Sequence, residues 1–348
     1  MFKDNTVFVI GAGASAEFGL PVGWQLLKTI KDNCHFELDM WRQLKDGPTA
    51  IFRHYDRVFG RETEDGLQQF LLRLKACEQI KRGIDSADSI DEYIYRYSGN
   101  PIISEVGKLQ IAYAISLAEK NSTLARGFVD YPPSLDETWI WSFTKALING
   151  IRADEVNKIG QNVTIICFNY DRCIEHYFEH ALARSFEDLT PKAAREIVSN
   201  INIIHPYGWL GDLELFPFGT ADAFPAMAGN LITWSESVRD PEIVAKMREA
   251  IREAEQIVFM GFGFAAQNMD LLNSQPEKTD LFAHEITSTP DVYATALGIP
   301  EEVEGSLKSK ITDLYMGQWS MQADQGIHFQ YGATCKKFFD IHRLNLVK

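Results

Sequence analysis

The first residues whose types and spacing suit chemistry are Gly11-Ala12-Gly13-Ala14-Ser15-Ala16, a G-x-G-x-x-G/A turn that follows directly on the apolar run Val7 to Ile10. Such a turn lets a backbone approach a pyrophosphate. Gly11 permits the tight bend, Gly13 the close approach, Ala16 the near packing of a following helix, and a helix N-terminus offers free N–H groups to an anion. The alternative is a glycine-rich turn that serves packing alone. A strand before the turn and an amphipathic run after it (Phe18, Leu20, Trp24, Leu27) favour a nucleotide or dinucleotide site. A second spacing with chemical meaning is His176 and His180, four residues apart on one expected helix, in the manner of metal ligands. No third ligand accompanies them in a matching motif, so they read as surface or packing residues.

The elements that must position these residues form an alternating pattern. Val163 to Phe168 is a β-branched run followed by Asn169-Tyr170-Asp171 and a helix carrying Cys173, Ile174, Tyr177, Phe178 and Leu182. Ile201 to Ile204 is a short strand ending in His205-Pro206-Tyr207-Gly208. A helix across Pro241 to Glu255 leads into Gln256 to Met260, again followed by glycines, Gly261-Phe262-Gly263. His284 to Thr287 and Ile327 to Tyr331 are weaker strand candidates. This order predicts an α/β fold, a Rossmann-like doubly wound and mainly parallel sheet. In such a sheet Gly11, Asn169, His205 and Gly261, far apart in sequence, meet at the C-terminal edge of the strands, where ligands are held.

One stretch breaks the alternation. A dehydrogenase-type second strand, ending in an acidic residue about twenty positions beyond the glycines, is not evident. From 34 to 158 the pattern is helical, with Leu67, Phe70, Leu71 and Leu74 on one face, then Ile111, Ala114, Ile115 and Ala118, then Trp139, Ile140, Phe143 and Leu147. This predicts a large helical insertion within a single domain spanning 1–348, completed by a C-terminal extension over 281–348. Inside the insertion, Ser89 followed by Asp91 and Glu92 reads as a helix cap with an early acidic pair, and plain capping is the expectation for Asp91. The aromatic residues from Trp139 to Phe143 read as core, Phe216 to Asn230 as loop, and Ser274 to Asp280 as a polar connection.

Composition narrows the class. With 348 residues and 45% hydrophobic content the chain has ample material for a globular core. A net charge of −14 argues against a broad basic face, so direct nucleic-acid or anionic-membrane binding is not expected. The five cysteines, Cys34, Cys77, Cys167, Cys173 and Cys335, are scattered and form no C-x-x-C pair, so neither a disulfide framework nor a four-cysteine zinc site is expected. The reading is of reduced thiols in a cytoplasmic protein, with no leader and no apolar run near the about 18 residues that span a bilayer.

Taken together, the turn Gly11 to Ser15, Gly19-Leu20-Pro21 after it, Phe168-Asn169-Tyr170-Asp171, the strand-end His205 with Gly208, and Gly261-Phe262-Gly263 resemble, in kind and order, sirtuin-like proteins. The resemblance covers roughly 4–20 and 160–275. It is closer to the bacterial sirtuin-like NAD-consuming proteins of anti-phage defence than to the protein deacylases, which usually carry a four-cysteine zinc module. The resemblance implies NAD as substrate, no metal, and hydrolysis of the nicotinamide–ribose bond to nicotinamide and ADP-ribose. Deacylation of proteins, or nucleotide sensing without turnover, are the alternatives.

That cleavage passes through an oxocarbenium-like state and needs a polar group to fix ribose and water, together with a base. The resemblance assigns Asn169 to the first role, and an amide suits it by donating and accepting without a change of charge. Capping of the next helix is the competing role. Asp171 is implied as acceptor for the nicotinamide carboxamide, against plain helix-dipole stabilisation. His205 is the implied base, against a merely hydrogen-bonded strand-end histidine. The family's adjacent His-Gly pair is interrupted here by Pro206 and Tyr207, which puts an acyl-peptide groove in doubt. Gly11, Ala12, Gly13, Ser15, Gly261, Phe262 and Gly263 fall to the ADP-ribose half. Asn268 and Asp270 would either reach the adenosine ribose or cap the helix holding Leu271 and Leu272. Unrestrained NAD hydrolysis would drain the host cell, so gating by self-association is expected. A defence-system partner such as an ATPase is implied by the resemblance alone.

Overall fold

A computed structural model describes residues 1–125, 133–237, 240–274, 289–315 and 326–348. Its centre is a six-stranded sheet, with a separate two-stranded hairpin. In chain order the strands are β1 (Thr6–Ile10), β2 (Glu37–Leu38), β3 (Leu44–Asp46), β4 (Val163–Cys167), β5 (Asn202–Ile204), β6 (Gln256–Met260), β7 (Asp291–Thr295) and β8 (Ile327–Gln330). The large sheet runs β5-β4-β1-β6-β7-β8, and every pairing in it is parallel. From β1 the chain builds outward through β4 and β5, then returns to lay β6 against the other side of β1. This is the doubly wound Rossmann order, with its switch point between β1 and β6.

The side-chain alternation of β1 explains why both faces are covered. Val7 and Val9 point into one core with Ile166, Ile257, Phe259 and Val292, and Phe8 and Ile10 point into the other with Ile165, Cys167, Val258 and Met260. The first core is roofed by helices Thr49–Phe59, Glu64–Gly83 and Pro101–Asn121, the second by Trp139–Leu147, Cys173–Ser185 and Cys335–Leu346. An aromatic cluster anchors the second face. Phe8 and Phe143 lie 4.7 Å apart, and Phe143 stacks on Phe178 at 5.6 Å and 17°.

Several local expectations need correction. The turn after β1 does not open one amphipathic helix. A single turn Ala12–Ser15 and a 3-10 turn Ala16–Phe18 stop at Gly19 (φ +88°), and a new helix runs Gly23–Asn33. It buries Leu26 and Ile30 and leaves Trp24 66% exposed, because the break at Gly19 resets the helical phase. In Glu64–Gly83 the buried positions are Gly66, Phe70, Ala76, Cys77 and Ile80, whereas Leu71 is 41% exposed. The insertion also contains the β2–β3 hairpin, too short to leave a periodic signal. Phe216 to Asn230 holds short helical turns, with Phe224 and Met227 buried. The strand candidate His284 to Thr287 lies outside the described residues. No described helix is long and apolar enough to cross a membrane.

Candidate functional site

The C-terminal edge around the switch point is built by backbone register. Ile10 is level with Cys167 of β4 and Met260 of β6, so Gly11, Phe168 and Gly261 leave the sheet at one height. Gly11 donates to the Met260 carbonyl at 3.0 Å and Gly13 to the Gly261 carbonyl at 2.9 Å. The two glycine turns therefore lie directly on one another. A Cβ on Gly11 would sit 2.6 Å from the Gly261 oxygen, and a Cβ on Gly261 (φ +59°) would sit 2.0 Å from the Ala14 nitrogen. In this arrangement the close approach that the glycines permit is taken up by the opposite turn. Two further groups hold the turn from behind. The Trp139 indole donates to the Ala14 carbonyl at 2.8 Å, and Glu17 accepts the backbone N–H groups of Trp139 (2.9 Å) and Lys336 (2.7 Å).

Over this turn stands a polar cluster from β4. The Asn169 amide donates to the Gly11 carbonyl at 3.1 Å and to the Ser15 hydroxyl at 2.9 Å, and its Oδ1 is buried without a partner. Asn169 does not cap the next helix. Asp171, one residue before the N-cap position Arg172, accepts from the Cys173 N–H at 3.1 Å. Burial raises the Asp171 carboxyl above its ordinary range, while hydrogen bonds from Cys173 and Ser15 pull the other way. Ser15, Asn169 and Asp171 thus converge, each buried. The next residue, Arg172, is locked in place. Its guanidinium and backbone meet Glu119 of the insertion, and it also donates to the Gly211 and Phe216 carbonyls. Both members of this ion pair are fully buried, which makes loss of either one costly.

His205 stands one strand over, level with Cys167 by the β4–β5 register. Its Nε2 meets the Glu175 carboxylate at 2.8 Å, its ring stacks on Trp209 at 5.1 Å, and its Nδ1 is buried without a partner. Burial disfavours the imidazolium, but the Glu175 carboxylate and the neighbouring Cys167 more than offset this and raise the imidazole well above its usual value. His205 and Glu175 also border a cavity of about 520 Å³ that none of Gly11, Ser15, Asn169 or Asp171 lines.

Neither family models, nor curated proteins, nor solved structures match this chain.

The remaining expected residues are placed unevenly. Phe262 is buried among Phe168, Phe259 and Phe264, and Gly263 is exposed. Phe264 is itself a non-glycine residue in the left-handed region (φ +53°). Asn268 accepts from the Tyr207 hydroxyl at 2.6 Å, which draws it to the crevice and away from a capping role. Asp270 has an exposed side chain, and only its backbone carbonyl is engaged, by Arg248 at 3.2 Å. Neither residue caps the helix Ala266–Leu272. After Pro206, Tyr207 is buried against Phe168 and Tyr170, and Gly208 (φ +65°) turns the chain against Asn230.

Asp91 departs from the capping expectation. Ser89 accepts from the Glu92 N–H at 3.0 Å and does the capping, while the Asp91 carboxylate is buried and accepts from the Tyr170 hydroxyl. Burial pushes this carboxyl up to about 6. A buried acid seventy-nine positions from its partner has no sequence signal beyond two adjacent acids, of which one faces inward. His176 stacks on Phe218 at 4.0 Å with parallel rings, and burial holds it down to about 3.

Proposed function

We propose that this chain is an NAD hydrolase of sirtuin-like type, acting in bacterial anti-phage defence by depleting NAD. The observation that carries the reading is the convergence of Ser15, Asn169 and Asp171 beside the switch point of a doubly wound sheet, with one amide oxygen of Asn169 left unpartnered. In this reading the ribose–nitrogen bond breaks with its electron pair leaving on nicotinamide. Water oxygen bonds to the ribose carbon, and the water's proton is released. Asn169 orients the water through its free oxygen. Asp171 accepts from the nicotinamide carboxamide, and His205 takes the proton once it has lost its own. Binding of the ADP-ribose half between Gly11–Ser15 and Gly261–Gly263 requires the two turns to part, which fits an enzyme held inactive until self-association or a partner opens it.

The test is to incubate the purified chain with NAD, with and without an acylated peptide, and to follow nicotinamide. Release without peptide supports hydrolysis. Release only with peptide points to deacylation, and binding without release points to a sensing module.

A further inference from the structure

The edge strand β5 and the helix Pro191–Asn200 wall the cavity of about 520 Å³ beside His205, a volume in the range of small-molecule pockets. Val198, Ile201 and Ile203 supply an aliphatic side, and Trp209, stacked on His205, an aromatic one. The charged groups in the wall are already paired. Arg195 is held in two bonds to Glu179, at 3.0 and 2.7 Å, and His205 meets Glu175 at 2.8 Å. Asp212, exposed in the lining, is left over, so the lining carries a net negative charge. Glu175 and His205, each about nine-tenths buried, keep one polar atom apiece without a partner, Oε2 and Nδ1. A buried carboxylate oxygen in that condition is stabilised by an incoming N–H donor.

We propose that this cavity is a ligand site for a small ring compound, neutral or cationic, that donates an N–H group to Glu175 and lies against Trp209. The apolar walls contribute through burial of the ring, and the carboxylate selects against anions. The site is separate from the glycine turns, and its occupancy does not depend on NAD cleavage.

Three isosteric probes decide it: benzamidine, benzamide and benzoate, titrated against the full chain by ligand-observed NMR. Benzamidine and benzamide are expected to bind saturably, with benzoate at least about tenfold weaker. Ile203→Trp fills the cavity and should abolish binding of both. Ser199→Trp, on the exposed helix end bordering the same cavity, gives the same result if Ile203→Trp melts poorly. Glu175→Gln should weaken benzamidine about tenfold or more. Equal binding of benzoate and benzamidine, unchanged benzamidine binding in the filled variants, or no saturable binding of any probe at low millimolar concentration overturns the proposal.

Discussion

The amide of Asn169 holds the hydroxyl of Ser15 at 2.9 Å, joining the end of β4 to the turn after β1 across 154 positions of chain. Its remaining oxygen has no partner. Asn169→Ala is therefore expected to cost orders of magnitude in nicotinamide release, with a far-ultraviolet spectrum like the parent's. Asn169→Asp, which keeps the shape and adds charge beside the buried Asp171, should also be inactive. A folded Asn169→Ala protein cleaving NAD at the parent rate removes Asn169 from the site.

His205 serves as a base only after losing a proton, and its imidazole is held well above its usual value by Glu175 and Cys167 against the effect of burial. The acid limb of the rate profile is expected to rise at a pH above the ordinary histidine range. Glu175→Gln removes the carboxylate charge that favours the imidazolium and should move that limb to lower pH. Measuring kcat/KM across pH for both proteins checks the direction, and a limb that does not move excludes His205 as the titrating base.

Asp91 makes stability depend on pH. Its carboxyl titrates near 3.8 when unfolded and near 6 when folded, so the folded chain holds the proton more tightly. The stability this group contributes is full below the unfolded value and is lost as pH climbs through about 6; at neutral pH its ionised form costs roughly 3 kcal/mol. Asp91→Asn keeps an acceptor for Tyr170 without the charge. It should raise the melting temperature at pH 8 and leave it nearly unchanged at pH 4. Equal shifts at both pH values would show that Asp91 is not buried as a carboxyl.

Gly261→Ala puts a methyl group 2.0 Å from the Ala14 nitrogen and forces a left-handed φ. The backbone strain alone is about 1–2 kcal/mol, and the overlap adds to it because the atoms the methyl meets, in Gly13 and Ala14, are main chain. A loss of several degrees in melting temperature is expected. Gly263→Ala, where a Cβ meets open space, should melt like the parent. If the two variants melt alike, the turns are not in contact.

The order of strands, helices and glycines along the chain was enough to determine a doubly wound sheet and the edge at which Gly11, Asn169, His205 and Gly261 gather. Parallel strands buried on both faces leave continuous apolar runs, as Val7 to Ile10, Val163 to Cys167 and Gln256 to Met260 do, and the residues following such runs must fall at one edge. Local rules also carried Ser89 as a cap and the burial of Trp139 and Phe143, though Trp141 between them is only partly buried. Tertiary structure alone decided what those residues touch. That Gly13 faces the backbone of Gly261, that Asp91 turns inward to Tyr170, that Glu175 charges His205, and that Arg172 is locked by Glu119 are contacts between segments 30 to 248 positions apart, with no periodicity to announce them. Asp270 shows the converse: beside Asn268 in sequence, it is turned to solvent by the helical twist that brings Asn268 to Tyr207.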